Sequence, residues 1–125
     1  MSQAPLIAVV DDDDAVRTAL EALIRSLGHR VAAFASAAAF LASDVSARAD
    51  CLISDVQMPG LSGFDLQEAL GARGVTTPVI LITAFDDDRA RARGLTLGAA
   101  CFLKKPFSGE AIIRCLETAL APRAN

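Results

Sequence analysis

The chain has 125 residues, 53% hydrophobic and 22% charged, with a formal net charge of −3. That length predicts one domain able to bury roughly two thirds of its unfolded surface, and the composition excludes a disordered chain. The negative balance argues against direct contact with nucleic acid, no apolar run approaches the ~20 residues that span a bilayer, and MSQAPLIAVVDDDD lacks the basic start and apolar core of a secretory signal.

In chain order, Leu6–Val10 is an apolar β-type run that ends abruptly in Asp11-Asp12-Asp13-Asp14. Val16, Leu20, Leu23, Ile24 and Leu27 then fall on one helical stripe, and Gly28 is a natural stop. Val31–Phe34 predicts a second short strand. Ser36 can cap a helix carrying Phe40 and Leu41, which fades into the polar stretch Ser43–Asp50. Cys51–Asp55 is a third strand, broken by Pro59, Gly60 and Gly63, and a helix over about Phe64–Ala72 follows. Val79–Thr83 is the most continuous β-type run. Asp86–Leu97 predicts a helix closed by Gly98, Ala99–Leu103 a fifth strand, and Ser108 the cap of a last helix with Ile112, Ile113, Leu116 and Leu120 at helical spacing. The three cysteines, Cys51, Cys101 and Cys115, are odd in number with no CxxC spacing. They read as buried free thiols of a cytoplasmic protein, and metal or redox roles for them are disfavoured. His29, in a Gly-His-Arg turn, reads as a solvated loop residue.

Strand and helix alternate five times, which predicts an α/β fold with a parallel sheet covered on both faces. Right-handed crossovers leave the doubly wound order 2-1-3-4-5 as the natural candidate, with its switch point between strands 1 and 3. Ligands of such sheets sit at the carboxyl ends of the strands. Those ends carry Asp11 and Asp12, Asp55, Thr83 and, just past strand 5, Lys105. Each has an ordinary structural reading taken alone. Asp55 suits the start of a turn, Thr83 a strand, Lys105 a solvated strand end (a role that fits Lys104 better). Their convergence on one rim favours a site.

The chemistry of that rim follows from charge. Asp13 and Asp14 in a first helical turn gain ~0.3–1 kcal/mol from the macrodipole and need no further role. Asp11, Asp12 and Asp55 together do, because two like charges ~4 Å apart repel by about 4 kcal/mol even at an effective dielectric near 20. Such a trio must protonate, splay into water or hold a cation. An all-oxygen set suits Mg²⁺ and not zinc. With Lys105 and Thr83 beside it, the cation site becomes a place for a phosphoryl group. No Gly-rich phosphate loop follows the first strand, which disfavours nucleotide binding. Phosphorylation of a carboxylate remains, and Asp55, the lone acid on the central strand, is the best nucleophile.

VVDDDDAVR, SDVQMPGLSG, VILITA and FLKKPF, in that order and at these spacings, resemble the receiver domain of two-component response regulators. The likeness runs from about Leu6 to Leu120. SAAAFLAS and SDVQMPGLSGFDLQ are most similar to receivers of the FixJ type. The resemblance implies one receiver domain over 1–125, core about 6–121, with a flavodoxin-like (βα)5 sandwich. It implies Asp55 as phosphoacceptor, Asp12 as a direct Mg²⁺ ligand, Asp11 acting through a metal-bound water, and the Gln57 backbone carbonyl as a further ligand. Thr83 and Lys105 would hold phosphoryl oxygens and Phe102 would be the switch aromatic, without the hydroxyl of the tyrosine many receivers carry. A cis Lys105–Pro106 bond is implied as well.

The partners implied are a sensor histidine kinase or phosphotransfer protein and a downstream protein target or a DNA-binding effector domain, with a phosphorylation-dependent homodimer as a further candidate. Neither membrane nor direct nucleic-acid contact is expected. The chain ends right after its last helix, so a stand-alone receiver is expected, with a piece of a longer regulator as the alternative. Arg89, Arg91 and Arg93 read as a solvated helix face, with a partner-binding face as the alternative. The protein is expected to be no enzyme beyond self-phosphorylation from small phosphodonors and slow autodephosphorylation. A Mg²⁺-dependent phosphohydrolase would usually carry a second Asp at the position of Gln57. An interaction module that is never phosphorylated should have lost site residues, and all five are present. Phe85, two residues after Thr83, is apolar where some receivers carry a polar or acidic side chain, so it should cover Asp55 without orienting a hydrolytic water. Phe85→Glu or Phe85→Asn is expected to speed loss of the phosphoryl group, followed by intact mass over time; an unchanged half-life would remove that role.

Overall fold

The computed structural model describes residues 3–84 and 88–121. Five strands, β1 (Leu6–Val10), β2 (Arg30–Phe34), β3 (Cys51–Asp55), β4 (Val79–Thr83) and β5 (Cys101–Lys104), form one sheet in the order β2-β1-β3-β4-β5. Every neighbouring pair is parallel. The helices between them are α1 (Asp14–Ser26), α2 (Ala37–Ala42), α3 (Val45–Arg48), α4 (Gly63–Ala72), α5 (Asp88–Thr96) and α6 (Gly109–Leu120). The doubly wound order expected from strand–helix alternation is therefore the observed one.

The pleat divides the apolar residues between two cores. Ala8, Val10, Leu52, Leu81 and Phe102 face one side, where Phe40 of α2, Val45 of α3, Leu66 and Leu70 of α4 and Ala90 of α5 meet them. Ile7, Val9, Ile53, Ile80 and Ile82 face the other, packed by Leu20 and Ile24 of α1 and Ile112 and Leu116 of α6. β1, β3 and β4 are buried along their whole length, which is why their sequences are mostly apolar rather than alternating, with Ser54, Asp55 and Thr83 as buried polar residues at the carboxyl ends of β3 and β4. Each fully buried Leu or Ile contributes about 1.5–3 kcal/mol relative to exposure, so this sandwich dominates the stability of the fold.

The helix starts follow local chemistry. The Asp13 carboxylate accepts from the amides of Ala15 and Val16 at the head of α1. Ser36 and Ser108 accept from the amides of Ala39 and Ala111. At α4, Ser62 and Asp65 form a reciprocal capping box.

Several boundaries depart from the sequence reading. The stretch Ser43–Asp50 contains the one-turn helix α3, held by the Val45 amide donating to Ser43 Oγ at 3.1 Å and by Ser46 Oγ donating to the Ser43 carbonyl at 2.8 Å. A single turn nucleated by serine side chains leaves no periodic signal. α5 is described from Asp88 and not from Asp86, since 85–87 lie outside the described residues. β5 begins at Cys101, two residues later than expected, and continues to Lys104. The expectation of three free thiols holds for Cys51 alone: Cys101 and Cys115 are joined as a disulfide across β5 and α6. Fourteen residues separate them in sequence, so only the packing of α6 on the sheet brings them together. His29 is half-buried rather than fully solvated, at a cleft it shares with Leu27, Ile113 and Glu117. Among the described residues no helix is long and apolar enough to cross a membrane.

Gly63 is required by close approach. A Cβ there would lie 2.6 Å from the Asp55 carbonyl oxygen and 3.1 Å from Val56 Cα. Alanine would gain at most about 1 kcal/mol of helix propensity, but no rotamer relieves a clash with backbone. Gly63→Ala is therefore expected to destabilise by about 1–3 kcal/mol. Urea unfolding should show this as a lower midpoint at constant m; an unchanged midpoint would mean that the junction of β3 and α4 yields freely.

Candidate phosphoacceptor site

The switch point of the sheet lies between β1 and β3, the two neighbours of opposite winding. Beyond their carboxyl ends the backbone pairing continues for one residue. The Asp11 amide donates to the Phe34 carbonyl at 3.1 Å, the Val56 amide to Ile82 at 2.9 Å, and the Lys105 amide to Thr83 at 2.7 Å. These contacts fix the height at which each rim side chain leaves the sheet.

Asp11, Asp12 and Asp55 converge there, with one carboxylate oxygen from each lying within 4.8 Å of the others. Asp11 is completely buried, Asp55 is 5% exposed and Asp12 is exposed. The Lys105 ammonium stands between the two buried acids, 3.1 Å from Asp11 Oδ2 and 3.1 Å from Asp55 Oδ2. Its contact with Asp55 is an aligned hydrogen bond. The contact with Asp11 is an ion pair without that alignment, and Asp11 Oδ2 is otherwise unpartnered. Asp11 Oδ1 accepts from the Asp13 amide at 2.8 Å, and Asp55 Oδ1 from the Gln57 amide at 3.3 Å. Arg17 donates to the Asp11 carbonyl at 2.7 Å and pairs with Asp14, bracing the same loop.

Burial raises the pKa of Asp55 above the ordinary carboxylate range, and the charge of Asp11 pushes the same way; Lys105 and the Gln57 amide pull it back only in part. Burial also disfavours the Lys105 ammonium, but its close contacts with the Asp11 and Asp55 carboxylates outweigh it and hold the pKa above the usual lysine range. The site therefore carries an excess of negative charge that one lysine does not neutralise.

The donor set fits a hard divalent cation. It consists of carboxylate oxygens, one of them buried without an aligned donor, with no thiolate or imidazole among the clustered ligands. Mg²⁺ favours such sets and commonly uses one or two carboxylates together with phosphate. Asp11, Asp12 and Asp55 could hold it.

Thr83, 1% exposed, ends β4 in register with Lys104. By the pleat its side chain shares a face with Leu81, and Phe102 pairs with Leu81 in register, 6% exposed in the same core. Lys104 is exposed, as expected of a solvated strand end. The Lys105–Pro106 bond is cis. Gln57 is exposed in the loop, its amide on Asp55. Phe85 lies outside the described residues.

Of the arginines of α5, Arg89 and Arg93 are exposed, in line with a solvated face, while Arg91 is half-buried. The Arg91 guanidinium stacks 5.0 Å over the Phe102 ring and donates to the Phe102 carbonyl at 3.4 Å. Arg93 stacks 4.6 Å over Phe64 and pairs with Glu68 at 3.4 Å. Two contributors to the site carried little sequence signal. Gly63 supports the Asp55 backbone, as above. Gly94 lets α5 settle on β4 and β5, where a Cβ would meet Leu81 Cδ1 at 2.9 Å and Phe102 Cδ2 at 3.1 Å. A glycine inside an Arg/Ala helix reads as weak propensity until its neighbours are known.

The switch point thus holds a carboxylate trio, two of whose members share one lysine. The family model for the response regulator receiver domain matches residues 7–117. The chain belongs to the receiver domains of response regulators, a signalling family rather than a class of enzymes. It is 42% identical over 125 residues to the transcriptional regulatory protein FixJ of Azorhizobium caulinodans, covering all of this chain and 59% of that protein. Over 118 residues it is 42% identical to the response regulator protein TmoT of Ectopseudomonas mendocina, 94% of this chain and 54% of that one. The chain thus spans between half and three fifths of the length of these relatives. Among solved structures, FixJ-N superposes with a TM-score of 0.86 at 31% identity, covering 99% of both chains.

Because ionised Asp55 is disfavoured by its surroundings, Asp55→Asn is expected to melt at a higher temperature than the unchanged protein near pH 7. A raised folded pKa means stability that is complete below the unfolded value and lost as pH rises through the folded one. The advantage of the asparagine should therefore shrink as pH falls through the raised pKa of Asp55 and vanish below about 3.8, its ordinary value. Melting curves without divalent cation check this. A lower melting temperature for the variant at neutral pH would mean that the pair with Lys105 outweighs burial and repulsion.

Proposed function

We propose that this chain is a phosphoacceptor switch that takes a phosphoryl group from a histidine kinase, or from a phosphotransfer protein, onto Asp55 and changes its partner-binding surface. The observation that carries the reading is the Lys105 ammonium held between two buried carboxylates at the switch point, with a third acid beside them. In this reading 1–125 is one cytoplasmic receiver domain with its core over about 6–121.

An Asp55 carboxylate oxygen attacks phosphorus in line with the donor's phosphohistidine bond; the O–P bond forms as the N–P bond breaks, and the electron pair returns to the imidazole nitrogen. Mg²⁺ bound by Asp11, Asp12, Asp55 and the Gln57 carbonyl would neutralise phosphoryl charge and the repulsion among the carboxylates. Lys105, already 3.1 Å from Asp55 Oδ2, exchanges that oxygen for a phosphoryl oxygen. Thr83 turns its hydroxyl toward another, and Phe102 follows into the space released beside Leu81.

Moving a population from 1:99 to 99:1 requires ~5.5 kcal/mol of differential interaction. A charge-assisted hydrogen bond from Thr83 supplies about 1.5–3 kcal/mol, whereas Lys105 trades one anion for another. The phosphoryl group alone therefore shifts the equilibrium partway, and the downstream partner, an effector domain or a second copy supplies the rest. The names of the relatives support transcriptional control as the output, through a DNA-binding domain outside this chain.

Intact mass after incubation with acetyl phosphate tests the assignment. One phosphoryl adduct is expected with Mg²⁺, none with EDTA, and none for Asp55→Asn. Thr83→Ala should still accept phosphate while losing the accompanying structural change. Absence of an adduct on folded protein would leave an interaction module that is never phosphorylated; donor turnover without an adduct would point to a phosphohydrolase.

A further inference from the structure

Cys101 opens β5 at the edge of the sheet, and Cys115 lies on the buried stripe of α6 beside Ile112 and Leu116. Their sulfurs are paired and their Cα atoms are 6.0 Å apart, within the 4.4–6.8 Å that a disulfide spans without moving backbone. Cys115 is 6% exposed, but Cys101 is only half-buried, which makes Cys101 the more accessible residue of the pair. Cys51 is the contrast. It is fully buried in the central strand, forms no disulfide, donates only to the Leu52 carbonyl at 3.9 Å, and burial pushes its thiol up to about 12. An apolar, unionised thiol of that kind is inert.

We propose that Cys101 and Cys115 are a reversible redox cross-link that ties β5 to α6 and restrains that side of the surface when Asp55 is phosphorylated. The restraint rests on the function proposed above; the cross-link itself does not.

The chemistry is thiol–disulfide exchange with a small disulfide such as oxidised glutathione. The Cys101 thiolate attacks one sulfur of the oxidant, giving a mixed disulfide and releasing one glutathione thiolate. Cys115, having lost its proton, attacks Cys101 Sγ and expels the second. Two electrons pass from the protein pair to the oxidant, two protons leave the cysteine thiols, and excess glutathione reverses both steps.

The link to the switch is one of position. Phe102 directly follows Cys101 and turns to the opposite face of β5. A shift of β5 that lets the ring follow Thr83 must also carry Cys101, and the covalent tie makes α6 move with it or stops the shift. In the reduced protein the two elements slide independently.

The full chain is equilibrated in glutathione buffers of graded ratio, quenched, unfolded, alkylated and weighed. One alkylated thiol, Cys51, is expected at the oxidising end and all three at the reducing end. Cys101→Ser should give two throughout, whereas Cys115→Ser should give two at the reducing end and one at the oxidising end, where a glutathione mixed disulfide stays on Cys101, with Cys115→Ala as the substitute if the serine fails to fold. Hydrogen exchange of β5 and α6 peptides, with and without acetyl phosphate and Mg²⁺, should then change on phosphorylation in the reduced form and lose that change in the oxidised form. Three thiols in every buffer, one thiol in every buffer, or a disulfide-linked dimer would each overturn the reversible cross-link. A reversible pair with equal exchange responses would overturn the restraint. No phosphoryl adduct in either form would overturn the phosphoacceptor reading and the restraint together, while the thiol counts still decide the cross-link.

Discussion

The structure turns on an unbalanced set of charges: two buried carboxylates, Asp11 and Asp55, share one ammonium, and a third acid stands at the edge. Bringing acids this close costs several kcal/mol unless something cationic stays with them. The architecture around the site can be read as support for that arrangement. The buried strands bring the acids to one height, the amides of Asp13 and Gln57 occupy the carboxylate oxygens that Lys105 does not, and Gly63 lets α4 close behind Asp55. A site that is electrostatically unsatisfied at rest is also one that responds strongly to any added cation or anion.

The two cores have different relations to that site. The face covered by α2 to α5 contains Phe102, Leu81 and the side of the sheet on which Thr83 lies, with Arg91 and Gly94 pressed on the ring. The face covered by α1 and α6 is mainly isoleucine and leucine, and it also holds the buried thiol of Cys51 and the Cys101–Cys115 pair. One side of the sheet is suited to rearrangement and the other to holding register.

What was legible in the sequence follows from burial. β1, β3 and β4 are readable residue for residue because strands covered on both faces are mostly apolar, and their polar residues, Ser54, Asp55 and Thr83, fall only at the carboxyl ends. The rim acids, Thr83 and Lys105 were readable because parallel strands deliver their carboxyl ends to one place, so placing the strands places the site. α3 escaped because a single turn has no period, and β5 was placed early because Ala99 and Ala100 suit strand and loop alike. The stacking of Arg91 and Arg93 on Phe102 and Phe64, and the meeting of Cys101 with Cys115, depend on tertiary distance alone. Nothing in local composition encodes those contacts.

The alternation of β5 has a consequence for how this chain can diverge. Cys101 and Leu103 face α6 while Phe102 between them faces α5, so consecutive residues serve opposite layers. Inserting or deleting one residue inside β5 would exchange the occupants of the two layers, placing a ring where the sulfur belongs and an aliphatic chain under Arg91. The number of residues in β5 is accordingly fixed by the two layers it serves. The turn from Gly74 to Pro78 has no strand alternation of its own, but Val75 packs into the α2–α5 core and the Pro78 carbonyl accepts from the Leu52 amide, so its ends are anchored to the layers it joins.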